Sequence, residues 1–282
     1  MITQTEIFPF DYTFAVPMFL IWAMTFILVM LLIDTEMLTK KLNLLILLIT
    51  LVLGGIVLGG IPNAVMPIQQ LLGVFVGGGT ILSLVAVIII LGILLGSSIV
   101  AGRLFCGFAC PLGALQELIS KVNFKSNLKA HERVKYRINV SQKIISIIRR
   151  IFLGVILVLA GFWGILILNV FNPLSGFSFY KTIFTFTFVI PFIGLIVISI
   201  ASIFLYRPWC RFLCPFGALS ALTSRLSRNK YERTEACTEC GLCEKVCPTQ
   251  EAFTNSKKTE CYYCNRCIEI CPVNAIKFSM DL

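Results

Sequence analysis

Apolar residues fill this chain in blocks too long and too uniform to be one face of a soluble helix. Phe14–Ile33, Leu42–Gly60, Thr80–Ala101, Ile151–Val170 and Thr182–Tyr206 are each long enough to cross a bilayer, which predicts about five transmembrane helices. The polar positions between them are distributed unevenly. Glu6 and Asp11 precede the first block and Lys40 and Lys41 follow the last of it, residues 61–79 carry no charge, and 171–181 carry Lys181 alone. By contrast 102–150 holds Arg103, Lys121, Lys125, Lys129, Arg133, Lys135, Arg137, Lys143, Arg149 and Arg150. Basic residues collect on the cytoplasmic side of a membrane, so the pattern places the N-terminus outside and both the long basic loop and the C-terminal tail in the cytoplasm. Within that loop Phe124–Arg150 alternates basic and apolar residues, as an interfacial helix does.

Composition agrees with a lipid setting: 57% of the 282 residues are hydrophobic, 13% are charged, and the mean hydropathy is +0.90. The first basic residue is Lys40, so the start lacks the charged segment of a secretory signal peptide. A net charge of +10 raises the question of nucleic acid, but the basic residues lie beside apolar spans, and nucleic-acid binding is not expected. Few ionisable residues lie within the spans, so no transmembrane proton path is visible. The one histidine, His131, excludes bis-histidine haem, and C-x-x-C-H is absent. No haem is expected.

The chemistry sits in 12 cysteines. Cys237, Cys240, Cys243 and Cys247-Pro248 form one C-x2-C-x2-C-x3-C-P run, and Cys261, Cys264, Cys267 and Cys271-Pro272 form another. A cubane cluster has four iron corners, and two-residue gaps let one tight loop reach three of them. In two-cluster ferredoxins the fourth thiolate comes from the other run, which assigns Cys237, Cys240, Cys243 and Cys271 to one [4Fe-4S] cluster and Cys261, Cys264, Cys267 and Cys247 to the second. Zinc sites also use C-x2-C pairs, but they call for neither the triple nor the Cys-Pro in both copies. Cluster thiolates suit a reducing compartment, again the cytoplasmic face.

The other four cysteines expose a repeat. Arg103-Leu-Phe-Cys106-Gly-Phe-Ala-Cys110-Pro111-Leu-Gly113-Ala114 matches Arg207-Pro-Trp-Cys210-Arg-Phe-Leu-Cys214-Pro215-Phe-Gly217-Ala218 at a constant offset of 104 positions. The preceding external loops share Asn63-x-x-x-Pro67 and Asn169-x-x-x-Pro173 more loosely. The membrane part therefore reads as two parallel halves about an axis along the membrane normal, each ending in C-x3-C-P. Pairing the halves brings Cys106, Cys110, Cys210 and Cys214 together at the cytoplasmic membrane boundary. Three readings of these thiols compete: a third iron–sulfur or metal centre, redox-active thiol pairs, and inert buried cysteines. Arg103 and Arg207 read either as anchors to lipid phosphate or as fixed positive charges beside a redox site.

The expected fold class is an all-α polytopic membrane domain with a two-fold repeat of helix pairs, followed by an α+β bacterial-type ferredoxin domain. Its segments are an extra N-terminal helix (1–41), a first membrane repeat (42–125), a basic interfacial segment (126–150), a second membrane repeat (151–230) and the two-cluster domain (231–282).

Paired C-x3-C-P motifs after membrane helices, followed by two C-x2-C-x2-C-x3-C-P runs, resemble the NapH-type membrane ferredoxins across residues 42–282. The wider polyferredoxin group includes the NosR C-terminal region and the CcoG (RdxA) proteins. The resemblance implies an integral protein of the cytoplasmic membrane that links the quinone/quinol pool to a partner redox subunit, as an electron-transfer component of an oxidoreductase complex. Within the same group, CcoG implies an alternative, an assembly factor that reduces copper or a thiol while another enzyme matures. NapH-type proteins are usually pictured with four helices, so the first helix is a departure. The flavin-attachment motif of NosR-like flavoproteins is absent, and covalent flavin is not expected.

Overall fold

The computed structural model describes residues 12–75, 81–122, 140–164, 167–181, 189–227, 229–253 and 256–280. Its N-terminal part is helical. Helix α1 (Tyr12–Asp34) is followed by α2 (Lys40–Ile49), which starts at a Thr39 cap whose side chain accepts from the Leu42 amide and runs on as a π-helix over Thr50–Val57. A short α3 (Met66–Phe75) leads to α4 (Ile81–Ala101). Helices α5 (Pro111–Val122) and α9 (Pro215–Thr223) follow the two C-x3-C-P motifs, each with its proline in the first turn, where a missing N–H costs nothing. Between them lie α6 (Gln142–Trp163), α7 (Ile167–Phe171) and α8 (Val189–Phe204).

Among the described residues three helices are long and apolar enough to cross a membrane: Lys40–Val57, Leu84–Ala101 and Gln142–Trp163. Ala23–Asp34 and Val189–Phe204 are apolar but shorter. Their outward faces are covered with exposed Leu, Ile and Val, as lipid-facing helices require. The fourth apolar block differs from its expected bounds. Its helix begins at Gln142, nine residues before Ile151, and ends at Gly164 in a left-handed C-cap, φ 64°, so the last residues taken for interfacial helix are its first turns. His131 and the rest of the expected interfacial segment up to residue 139 lie outside the described residues.

The loops at the far ends of these helices turn inward. Asn63 accepts from the Val65 and Met66 amides, and Asn172 accepts from the Leu174 amide while its Nδ2 donates to Gln69. Asn63 and Asn172 thus cap their loops in a similar way. Gly60 has φ 89° and lies so close to Leu174 that a Cβ would meet its carbonyl oxygen at 2.1 Å. One hydrophobic cluster then runs from Ala64, Val65 and Leu174 of these loops to Cys106, Cys110, Cys210 and Cys214.

The C-terminal domain is closed by an antiparallel pair, β1 (Asn229–Arg233) and β2 (Ile276–Met280), in the register Asn229↔Met280 to Arg233↔Ile276. The pair clamps the two ends of the segment that carries both long cysteine runs. Short helices α10 (Leu242–Val246) and α11 (Arg266–Ile270) carry the third cysteine of each run.

Candidate iron–sulfur centres

The two long runs take the same backbone path. Glu239 and Gly241 flank Cys240 with φ of 52° and 69°, and Tyr263 and Asn265 flank Cys264 with φ of 55° and 62°. Left-handed residues on both sides of the middle cysteine curl the loop that carries the first three thiols of each run. Each run then ends in an extended cysteine before its proline, Cys247 at ψ 114° and Cys271 at ψ 116°. Three residues later Gln250 and Asn274 turn left-handed, and the next amides, of Glu251 and Ala275, donate to the Cys247 and Cys271 sulfurs at 3.3 Å. Hydrogen bonds to sulfur are one of the levers that set cluster potentials.

Each run's last cysteine lies near the first three of the other run. Cys237, Cys240, Cys243 and Cys271 line one open cavity. Burial pushes the Cys267 thiol well above its ordinary value, and Cys264, Cys261 and Cys247 around it push further in the same direction. The two sets differ in access. Cys240 is exposed, whereas Tyr262, Tyr263 and Arg266 around the second set are buried. Among the described residues no three Cys, His, Asp or Glu side chains close in on a single ion.

The short motifs also match each other in backbone. A π-turn, Phe105–Ala109 or Trp209–Leu213, sets the first cysteine, and Cys110 (ψ 120°) and Cys214 (ψ 117°) are extended before their prolines. Gly113 and Gly217 let each following helix start against that turn, because a Cβ would lie 2.2 Å from the Cys106 oxygen and 2.6 Å from the Cys210 oxygen. All four thiols are buried and within electrostatic reach of one another. Gln116 donates to the Cys210 sulfur at 3.6 Å, and the Gly217 amide to the Cys214 sulfur at 3.3 Å.

The four short-motif cysteines belong to one buried hydrophobic cluster of the helical part. Lys40 pairs with Glu269 of the C-terminal domain at 3.1 Å. In the π-helical continuation of α2, a Cβ on Gly54 would lie 3.5 Å from Pro111. The thiols therefore sit inside the bundle. The chain reaches them by turning back at Gly102 (φ 55°) and returns along α5, because an outward-facing position would leave the motif without its packing partners from the far loops.

Anchoring to lipid is likewise replaced for Arg103 and Arg207, which are 1% and 0% exposed. Each reaches the opposite half. Arg207 donates to the Cys106 and Gly107 carbonyls at 2.6 and 3.2 Å, and Arg103 to the Gly217 carbonyl at 2.9 Å. Arg103 also donates to Tyr262 Oη at 2.6 Å and Glu260 at 2.8 Å, and Arg149 to Glu260 at 2.6 Å. Glu117 takes Arg207 at 3.1 Å, Arg266 at 2.8 Å and Tyr206 Oη at 2.6 Å. Burial alone would raise the Glu260 carboxyl, but Arg103 and Arg149 outweigh it and hold it below its ordinary value.

These contacts seat the second long run on the short motifs. A Cβ on Gly107 would lie 2.5 Å from the Tyr262 oxygen, so the residues next to Cys106 and Cys261 touch. Sequence reasoning missed Glu117, Glu260, Tyr262, Arg149, Arg211 and Arg266. A signal was present: the second run carries Glu260, Tyr262 and Arg266 where the first has Ala236, Thr238 and Leu242.

A family profile described as a 4Fe-4S binding domain matches residues 83–129 and 187–234, which contain the two C-x3-C-P motifs. A second profile of the same description matches 231–250 and 257–277. The chain is 29% identical to YccM of Escherichia coli (strain K12) over 65% of its own length and 53% of that protein. It thus spans about half of YccM. It is 30% identical to the uncharacterized protein MJ0750 of Methanocaldococcus jannaschii over 73% of this chain and 82% of that one. It is 28% identical to the ferredoxin-type protein NapH of Haemophilus influenzae over 66% of each. No solved structure matches.

Proposed function

The chain belongs to the NapH-type membrane ferredoxins, and from that premise we propose that it links the quinone/quinol pool to a partner oxidoreductase by electron transfer. Cys237, Cys240, Cys243 and Cys271 hold one [4Fe-4S] cluster, and Cys247, Cys261, Cys264 and Cys267 hold a second. Cys106, Cys110, Cys210 and Cys214 hold a third centre. The clusters supply one-electron carriage. The membrane part consists of five spans in two repeated halves after an extra first helix, with the N-terminus outside and the C-terminal domain in the cytoplasm. The similar paths of the two short motifs and the basic residues of 102–150 support that arrangement.

The observation that carries the reading is the charge of the buried junction. Among the described residues the buried charged side chains are Arg103, Arg149, Arg207, Arg211 and Arg266 against Glu117, Glu251 and Glu260. Guanidinium stays charged in proteins, and an excess of buried cations is costly unless anions balance it. Thiolate-held clusters are such anions, and the cysteines assigned to the second and third centres border this junction. The exposure of Cys240 supports electron exchange between the first centre and a partner at the surface.

The test is iron and acid-labile sulfide per chain, with EPR of anaerobically purified protein titrated against a quinol analogue. About twelve irons, with signals that develop on quinol addition, are expected. About eight irons together with four alkylatable thiols would remove the third centre. Signals indifferent to quinol, with or without the partner, would remove the quinone link. Deletion separates the CcoG-like alternative, because loss of an assembly factor leaves its target without metal, whereas loss of a wire leaves the target intact but starved of electrons.

A further inference from the structure

Arg211 lies between the two cysteines of the second short motif, at the position that Gly107 holds in the first. Its side chain is buried, 3% exposed, yet poorly satisfied. Nη1 is 3.5 Å from the Pro248 carbonyl, Nη2 is 3.4 Å from Gln142 Oε1, and Nε has no partner. Among the described residues no carboxylate pairs with it. Glu260 acts on it through space, but both Glu260 oxygens are engaged by Arg103 and Arg149.

An uncompensated guanidinium in such a place is unfavourable by several kcal/mol in order of magnitude, and it cannot escape by losing its proton. Something anionic must balance it. On one side Arg211 follows Cys210 directly. On the other it reaches the carbonyl of Pro248, the residue after Cys247. We propose that Arg211 is the counter-cation shared by the centre at Cys106, Cys110, Cys210 and Cys214 and the centre at Cys247, Cys261, Cys264 and Cys267. Each centre gains negative charge when it takes up an electron, so a fixed cation between them favours the reduced form of both. Position 107 in the other half has no side chain because the Tyr262 backbone fills that space, so the junction has room for one such cation, and it is on the Cys247 side.

The inference rests on the cluster assignment above. The experiment is an EPR redox titration of the full chain in its wild-type, Arg211→Gln and Arg211→Lys forms, with iron determined for each. With wild-type iron content, Arg211→Gln is expected to shift the reduction equilibrium of the Cys247 centre at least tenfold toward the oxidised form, a midpoint about 59 mV lower. The more distant Cys237 centre is expected to move less than threefold, and Arg211→Lys to stay within threefold of wild type at both. An unmoved Cys247 midpoint, or an equal shift at both ferredoxin centres, would overturn the role. If Arg211→Gln loads no iron, Arg211→Lys decides: a wild-type midpoint supports the role of charge, and a tenfold loss with the charge kept overturns it. Wild-type protein with no signal removed by Cys247→Ser would instead sink the underlying assignment.

Discussion

Glu260 is the point at which the C-terminal domain is tied to the membrane helices, and Glu260→Gln measures what that tie is worth. The carboxylate is buried, it meets Arg103 at 2.8 Å and Arg149 at 2.6 and 3.2 Å, and Arg149 has no other partner among the described residues. Glutamine keeps the volume and removes the charge, leaving two buried guanidiniums facing a neutral amide. Removing one partner of a buried pair costs about 3–5 kcal/mol, which for a chain of this size corresponds to a fall of roughly 10 °C in melting temperature. The assay is thermal unfolding of anaerobic protein in detergent, followed by cluster absorbance and far-UV circular dichroism. Arg149→Gln supplies the cross-check: the double variant should be more stable than the sum of the single losses predicts by about 1 kcal/mol or more. The pH dependence has a definite sign. Because the Glu260 carboxyl is held below its ordinary value, its contribution is present above the unfolded-state value and is lost as pH falls through the lowered folded-state value. A Glu260→Gln protein that melts within about 2 °C of wild type, or strictly additive single and double losses, would refute the tie.

The same junction predicts that Gly107→Ala, whose new Cβ would lie 2.5 Å from the Tyr262 oxygen, displaces the second cysteine run at a cost of about 1–3 kcal/mol. Limited proteolysis should then cut faster within 250–260, while Gly92→Ala, with nothing within 4 Å, should leave the pattern unchanged. Cys271→Ser should remove the same EPR signal as Cys237→Ser, and Cys247→Ser the same signal as Cys264→Ser; the opposite pairing would break the exchange of ligands between runs. At the far end, Gly60→Ala forces a side chain both into φ 89° and against the Leu174 carbonyl. It should lower yield and melting temperature more than Gly107→Ala does.

What the chain discloses by itself divides along the range of the forces involved. The two long cysteine runs were readable because ligand geometry is local: a three-thiol loop must have its cysteines at fixed short spacing. The repeat around Cys106 and Cys210 was readable for the same reason, down to the glycines at 113 and 217 that admit the preceding turn. Charge is harder to read where its partner is distant. Hydropathy sees Arg103 only as a cation after an apolar helix, which leaves a lipid anchor open beside a redox role, whereas its carboxylate lies 157 positions away. Arg149 made the first turns of α6 look interfacial for the same reason, with Glu260 111 positions on. The packing of the first short motif was hidden too, since it rests on the meeting of Gly54 with Pro111, far apart in sequence. Yet the difference between the two ferredoxin runs was in view throughout. A run that needs only to hold a cluster is satisfied with Ala236, Thr238 and Leu242, whereas one that must also bury charge against a membrane domain needs Glu260, Tyr262 and Arg266 at the same three places. Two runs under one ligand constraint separate residues that hold the cluster from residues that dock it: what they share serves the iron, and where they differ identifies the run that faces the membrane.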